Sequence, residues 1–70
     1  SLNCRQLTRK LRRLGCEFER RVKGDHEIWI NVSTHARTTI PNWSSRDLKP
    51  GTIAGILREL GISRDDLDRV

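Results

Sequence analysis

Apolar residues recur at helical spacing near the start of the chain: Leu7, Leu11 and Leu14, with Cys4 one turn earlier. Asn3 stands where a helix N-cap belongs, and Gln6, three residues on, completes a capping box. Gly15 is a natural stop. The spacing predicts a helix over residues 4–14. The period then falls from 3.6 to 2. Cys16, Phe18 and Val22 alternate with Glu17, Glu19 and Arg21, and only Arg20 interrupts the apolar side, so residues 16–22 read as a strand. Lys23-Gly24-Asp25 reads as a turn. Residues 26–32 form a second strand, with Ile28, Ile30 and Val32 on one side and Trp29 on the other. Ser33-Thr34-His35 is a second turn. Residues 36–40 make a short third strand, which Pro41 ends.

Residues 41–50 carry no periodic pattern and read as a loop. The next helix is predicted to begin near Gly51-Thr52, with Thr52 as a candidate cap. Ile53, Ile56, Leu57 and Leu60 mark its buried face, and Gly61 stops it. Ser63 with Asp66 forms a second capping box, opening a short last turn that contains Leu67. Connections of a few residues make the strands antiparallel. The order α-β-β-β-α, with both helices needing one side of the sheet, predicts an α+β two-layer sandwich of one domain over residues 1–70, closed by a short helical turn.

Composition sharpens this picture in two ways. Seventy residues support only a thin core, because a chain this short buries about 60% of its unfolded surface. A substrate is therefore expected to lie across a surface rather than in a deep cleft, or in a site that a partner completes. The net charge of +5 is also unevenly spread. Residues 1–24 carry eight Lys/Arg against two Glu, whereas residues 46–70 balance at five against five. Arg5, Arg9 and Arg12 fall on one stripe of the first helix, flanked by Arg13. Such a concentrated cationic face fits either nucleic-acid phosphates or an acidic protein partner. Two cysteines, Cys4 and Cys16, are too few for a disulfide framework and lack metal-ligand spacing with a histidine. They read as reduced, buried thiols of a cytoplasmic protein. No apolar stretch is long enough for a membrane span or a signal sequence.

The chemistry concentrates at His26, which opens the second strand beside the Gly24-Asp25 turn. Imidazole both accepts and donates protons near neutral pH, and a basic surface gathers phosphates. RNA carries its own nucleophile in the 2′-OH, so a base, an acid and a cation suffice to cut it. His26 is a candidate for either proton transfer. Lys23 is the nearest cation, able to stabilise the phosphorane or simply to be a solvated strand end. Lys49, Gly51 and Thr52 precede the second helix, whose free N–H groups suit a phosphate or mark an ordinary helix start. Trp29 and Trp43 either stack on bases or fill core and rim. His35 lies at the far end of the second strand, about 20 Å or more away at roughly 3.3 Å per residue, and reads as a turn residue. Asp25, His26 and Glu27 are neighbours on a strand and point to alternate faces, so no metal site is expected. Asp65, Asp66 and Asp68 read as helix N-terminal charge.

Taken in order, a basic amphipathic helix, Gly24-Asp25-His26, Thr39-Ile40-Pro41 and the run from Asp47 to Ile62 resemble the HicA family, the toxin halves of HicA–HicB toxin–antitoxin pairs. The most specific stretch is Leu48 to Leu57, with Gly51-Thr52-Ile53 at its centre. The resemblance covers about residues 3–62. It implies a fold like a double-stranded-RNA-binding domain, ribonuclease activity on messenger RNA, and a HicB-like antitoxin as partner. It further implies that His26 is catalytic and Gly24 the turn glycine. Many members have Ser where this chain has Asp25, which leaves the role of that position open. The reading is a metal-independent mRNA endoribonuclease without cofactor, binding RNA through Arg5, Arg9, Arg12, Lys23 and Lys49, with Gly24 and Asp25 shaping the turn. A non-catalytic double-stranded-RNA-binding module and a protein-interaction domain are the alternatives.

Overall fold

The first helix begins where its cap dictates. In a computed structural model, which describes residues 2–70, the Asn3 side chain accepts from the Gln6 amide at 2.8 Å and Gln6 Oε1 accepts from the Asn3 amide at 3.0 Å. Two backbone donors that a helix start leaves orphaned are thereby satisfied. Helix α1 runs Cys4–Arg13, with Leu14 as its C-cap. Cys4, Leu7 and Leu11 form its buried stripe.

Strands β1 (Cys16–Arg21), β2 (His26–Asn31) and β3 (Arg37–Pro41) form an antiparallel meander in the order β1-β2-β3. Pro41 is the last residue of β3 rather than the residue beyond it. It costs no ladder bond there, because β3 is an edge strand. Helix α2 (Pro50–Leu60) and a six-residue α3 (Arg64–Arg69) complete the chain. Helix α2 starts earlier than the Gly51-Thr52 reading. Pro50 takes the first helical position, where its fixed φ fits and its missing N–H costs nothing. Lys49 is the N-cap and makes no side-chain cap bond, so Thr52 lies inside the helix and caps nothing. Gly61 ends α2 in the left-handed conformation, φ 71°. At α3 only half of the expected box forms: the Ser63 hydroxyl accepts from the Asp66 amide at 3.1 Å.

Both helices cover one face of the sheet, as an α+β two-layer sandwich requires. The residues that β2 turns toward them are Glu27, Trp29 and Asn31. The aliphatic side of β2, Ile28 and Ile30, faces outward and is only half-buried, and Val32 just beyond is exposed. Trp29 packs in one core with Leu7, Leu11, Cys16, Ile40, Ile53, Ile56, Leu57 and Leu60. Truncating any fully buried leucine here, such as Leu11 or Leu60, costs roughly 2–5 kcal/mol.

Strand β1 departs from strict alternation. Its register against β2 shifts between Phe18 and Arg20, a bulge that leaves Glu19 unpaired. Beyond it Arg20 lies opposite Ile28 on the outer face, and Arg21 opposite Glu27 on the inner one. Val22, whose amide donates to the His26 carbonyl, is therefore turned away from the side shared by Cys16 and Phe18. The expected common side for all three residues is corrected by this one extra residue. On the outer face Glu19 accepts from Arg37 and Arg20, both at 2.6 Å. Polar bonds also lock the far end of the inner face. Asn31 donates to the Leu60 carbonyl at 2.9 Å, and Thr38 donates to Glu59 at 2.6 Å. Lys10 clamps α3 by donating to the carbonyls of Leu67 and Val70.

Candidate functional site

Gly24 sits at φ 73°, a conformation that glycine adopts without strain, so the Lys23–Asp25 turn can reverse the chain tightly. The Asp25 carbonyl accepts from the Asn42 amide at 2.7 Å, which ties the turn to the end of β3. His26 follows at once as the first residue of β2, paired with Pro41 across the ladder. Glu27 faces inward, so His26 faces outward. Its ring is exposed and makes no hydrogen bond or ion pair with a described residue. Lys23, Gly24 and Asp25 are exposed beside it.

The topology brings further positive charge to this end of the molecule. Helix α1 ends next to Cys16, which pairs with Asn31, so its N-terminus lies toward the β1–β2 turn. Helix α2 ends on Asn31, so its N-terminus points the same way. The Leu48 amide donates to the Leu2 carbonyl at 2.7 Å, joining the two helix starts. Lys49 at the head of α2 is exposed. His35, in the turn after β2 with φ 65°, is at the opposite end and cannot pair with His26.

A concavity of about 600 Å³ is on the other side of the sheet from His26. It runs between α1 and the inner face of β1 and β2. Arg5, Thr8 and Arg12 form one wall, Phe18 and Trp29 the aromatic side, and Asn42, Ser44 and Ser45 the rim. Glu27 is its floor and only 8% exposed. The carboxylate accepts from Trp29 Nε1 at 3.0 Å and from Asn42 Nδ2 at 2.9 Å, with Arg21 at 3.8 Å. The Arg12 guanidinium lies over the Trp29 ring, 5.0 Å from its centroid. Arg9 borders a shallower hollow with Arg5, Thr8 and Arg12. None of the ion pairs among the described residues involves Arg5, Arg9, Arg12 or Arg13.

The candidate residues of the sequence therefore separate into two groups. His26, Lys23, Gly24 and Asp25 cluster at the turn, whereas Arg5, Arg9 and Arg12 belong to the helical side. Trp29 is 2% exposed and is core, while Trp43 is a half-buried rim residue under Arg46. Phe18, Glu27, Asn42, Ser44 and Ser45 were not legible as site residues. Their only sequence signal is a carboxylate two residues before a tryptophan on one strand face. The thiols of Cys4 and Cys16 are free and buried, and burial pushes both pKa values up; at Cys4 the Glu27 charge adds to this. No three His, Cys, Asp or Glu side chains converge among the described residues. No described helix is long and apolar enough to cross a membrane.

The family model for the HicA toxin of bacterial toxin–antitoxin systems matches residues 4–62. The match spans α1, the whole sheet and α2, and the fold accords with the double-stranded-RNA-binding-like architecture expected for it. Neither a curated protein nor a solved structure matches the chain. The chain belongs to the HicA toxin family, and its partner is accordingly an antitoxin.

Proposed function

We propose that this HicA-family toxin is a cytoplasmic, metal-independent endoribonuclease that cuts messenger RNA with His26 as its catalytic residue. The observation that carries the reading is the state of His26. It is an exposed imidazole with no partner for its nitrogens among the described residues, held at a strand start by a turn that carries Lys23. In the reaction the 2′-oxygen bonds to the adjacent phosphorus as the bond to the 5′-oxygen breaks, leaving a 2′,3′-cyclic phosphate and a 5′-hydroxyl. His26 takes the 2′-OH proton or protonates the leaving oxygen, and water, which reaches the exposed ring, completes the other transfer. Lys23 offsets the charge that builds on the phosphorane. Arg5, Arg9, Arg12 and Lys49 draw in the RNA backbone, and Gly24 and Asp25 hold the turn. A HicB-like antitoxin inhibits by covering the His26 face.

Substituting His26→Ala tests this directly. The side chain is exposed and makes no hydrogen bond or ion pair with a described residue, so stability should change by less than about 1 kcal/mol. Cleavage of RNA should fall by about 10²-fold or more. RNA affinity should hold, because phosphate contacts come from Lys and Arg. A folded His26→Ala chain that still cuts RNA at the original rate would falsify the assignment and favour a non-catalytic RNA-binding module.

A further inference from the structure

We infer that the groove between α1 and the inner face of the sheet is a single-nucleotide subsite. It takes one unpaired RNA base against Phe18, with flanking phosphates on Arg5 and Arg12, and its Glu27 carboxylate favours a base bearing an amino donor. The inference rests on the RNA-cleaving reading and adds where the substrate strand is gripped and by which base.

Four observations converge on that occupant. The volume of about 600 Å³ lies within the roughly 300–1,000 Å³ typical of small-ligand sites. The Arg5 and Arg12 guanidinium groups pair with no carboxylate among the described residues, so both can still meet an anion, Arg12 while lying over Trp29. Phe18 is 42% exposed although it stands on the face that elsewhere builds the core. It meets Trp29 near a right angle, 76° with centroids 6.1 Å apart, and keeps an open aromatic surface on which a base can stack. Glu27 spends one hydrogen bond on each oxygen, to Trp29 and to Asn42, and a carboxylate has capacity for more. A base amino group can use it. An acidic peptide would meet the same arginines, but it has no planar base to lay on Phe18 and, through its carboxylates, no donor for Glu27.

The position of the groove also defines its role. Groove and His26 are on opposite faces of the sheet, so a bound strand must pass around the end that carries the Lys23–Asp25 turn. The gripped nucleotide is then a neighbour of the one cut. It sets where the strand stops relative to His26 and acts on KM more than on kcat.

Binding of oligocytidylate and oligouridylate hexamers to the full chain carrying His26→Ala, which keeps the RNA intact, provides the test. The two bases differ where one has an amino group and the other a carbonyl. Cytidylate should bind roughly tenfold tighter, the scale of one base-reading contact, and Glu27→Gln should erase the difference. Phe18→Ala and Phe18→Leu should weaken both hexamers roughly five- to hundredfold, as for loss of a stacked base, and Phe18→Tyr should restore them. Phe18→Leu keeps apolar bulk in the sheet, and circular dichroism confirms that each variant is folded. Folded Phe18 variants that bind like the parent, or a parent without base preference, overturn the inference. If replacing Arg5, Arg9 and Arg12 with Gln weakens binding while Phe18 and Glu27 are silent, RNA cleavage stands and the base subsite falls. If the parent binds neither hexamer and an oligoglutamate peptide occupies the groove instead, both readings fall together.

Discussion

Replacing Glu27 by alanine should be among the most damaging single changes in this chain, although glutamate is rarely a core residue. The carboxylate accepts from the Trp29 indole and from the Asn42 side-chain Nδ2, and neither donor has another partner among the described residues. A hydrogen bond to a charged acceptor contributes about 1.5–3 kcal/mol, and a buried donor stripped of its acceptor loses its hydration as well. Trp29, at 2% exposure, cannot recover that loss from solvent; half-buried Asn42 recovers part of it. Arg21 is mostly exposed and 3.8 Å away, so its share is small. The expected loss is therefore about 2–4 kcal/mol. In a domain this small that corresponds to a fall in Tm of about 10–25 °C. Urea unfolding, followed by circular dichroism and by tryptophan fluorescence, measures it. Glu27→Gln keeps one acceptor and should lose less than half as much. Combining Glu27→Ala with Asn42→Ala should give a non-additive result, with a coupling of about 0.5–3 kcal/mol for groups in one network. A Glu27→Ala chain within 1 kcal/mol of the parent would show that the groove floor is not held by these bonds.

Three further outcomes follow from the same structure. Glu19 has its pKa lowered, first by its hydrogen bond to Arg37 and then by the charges of Arg37 and Arg20, partly opposed by desolvation. Stability from this contact is present at neutral pH and is lost as pH falls below the ordinary glutamate value of about 4.3; Glu19→Gln should remove that acid-dependent part from denaturant midpoints measured between neutral and acid pH. Cys4 and Cys16 are buried with raised pKa values, so neither should react with a thiol reagent in the native chain at pH 7.5, and both should react in urea; labelling of the folded protein would contradict their burial. Cleavage should survive excess EDTA, since Glu27 is turned inward to Trp29 and Asn42 while His26 faces out; activity lost on chelation and restored by Mg²⁺ would refute the metal-free mechanism.

What could be read from the sequence was what local spacing controls. Asn3 with Gln6, the Leu7 and Leu11 repeat, and Gly61 defined helix ends and faces. The short connections around Gly24 and Thr34 left a meander as the only topology. His26 beside a turn glycine was visible for the same reason. The orientation of β2 was not, because counting favours three β-branched aliphatics over one tryptophan. Burial follows satisfied partners as well as hydrophobicity. Trp29 finds an acceptor in Glu27, and Asn31 closes the last turn of α2 at Leu60, so two polar residues enter the core at little cost. Arg20 was the visible trace of the bulge: an arginine out of phase on an apolar side marks a register change. The groove stayed hidden because its residues come from four separate segments, and it takes bonds such as Asn42 to Glu27 to bring the 42–45 loop over the sheet.

The arrangement separates stability from the proposed chemistry. The residues that hold the fold, from Leu7 to Leu67, are on the helical side or beneath it, and Glu27 faces that side. His26 is one position away on the same strand, yet its side chain makes no hydrogen bond or ion pair with a described residue and faces the other way. Alternation along a strand is enough to insulate the two. A change at His26 should then abolish cleavage without unfolding the chain, while a change at Glu27 destabilises the chain without touching the imidazole. On the outer face Val22 and Ile28 are half-buried near that imidazole, Ile30 is half-buried further along the strand, and Val32 is exposed at its far end. An antitoxin that covers His26 therefore gains apolar area as well as blocking the site, at about 25 cal/mol for each Å² removed from water. Inhibition by this geometry should depend on the aliphatic side chains as much as on charge. Val32→Ser and Ile28→Thr should loosen the complex while leaving cleavage by the free toxin intact, and antitoxin affinity unchanged by both would locate the inhibitor on the arginine face instead.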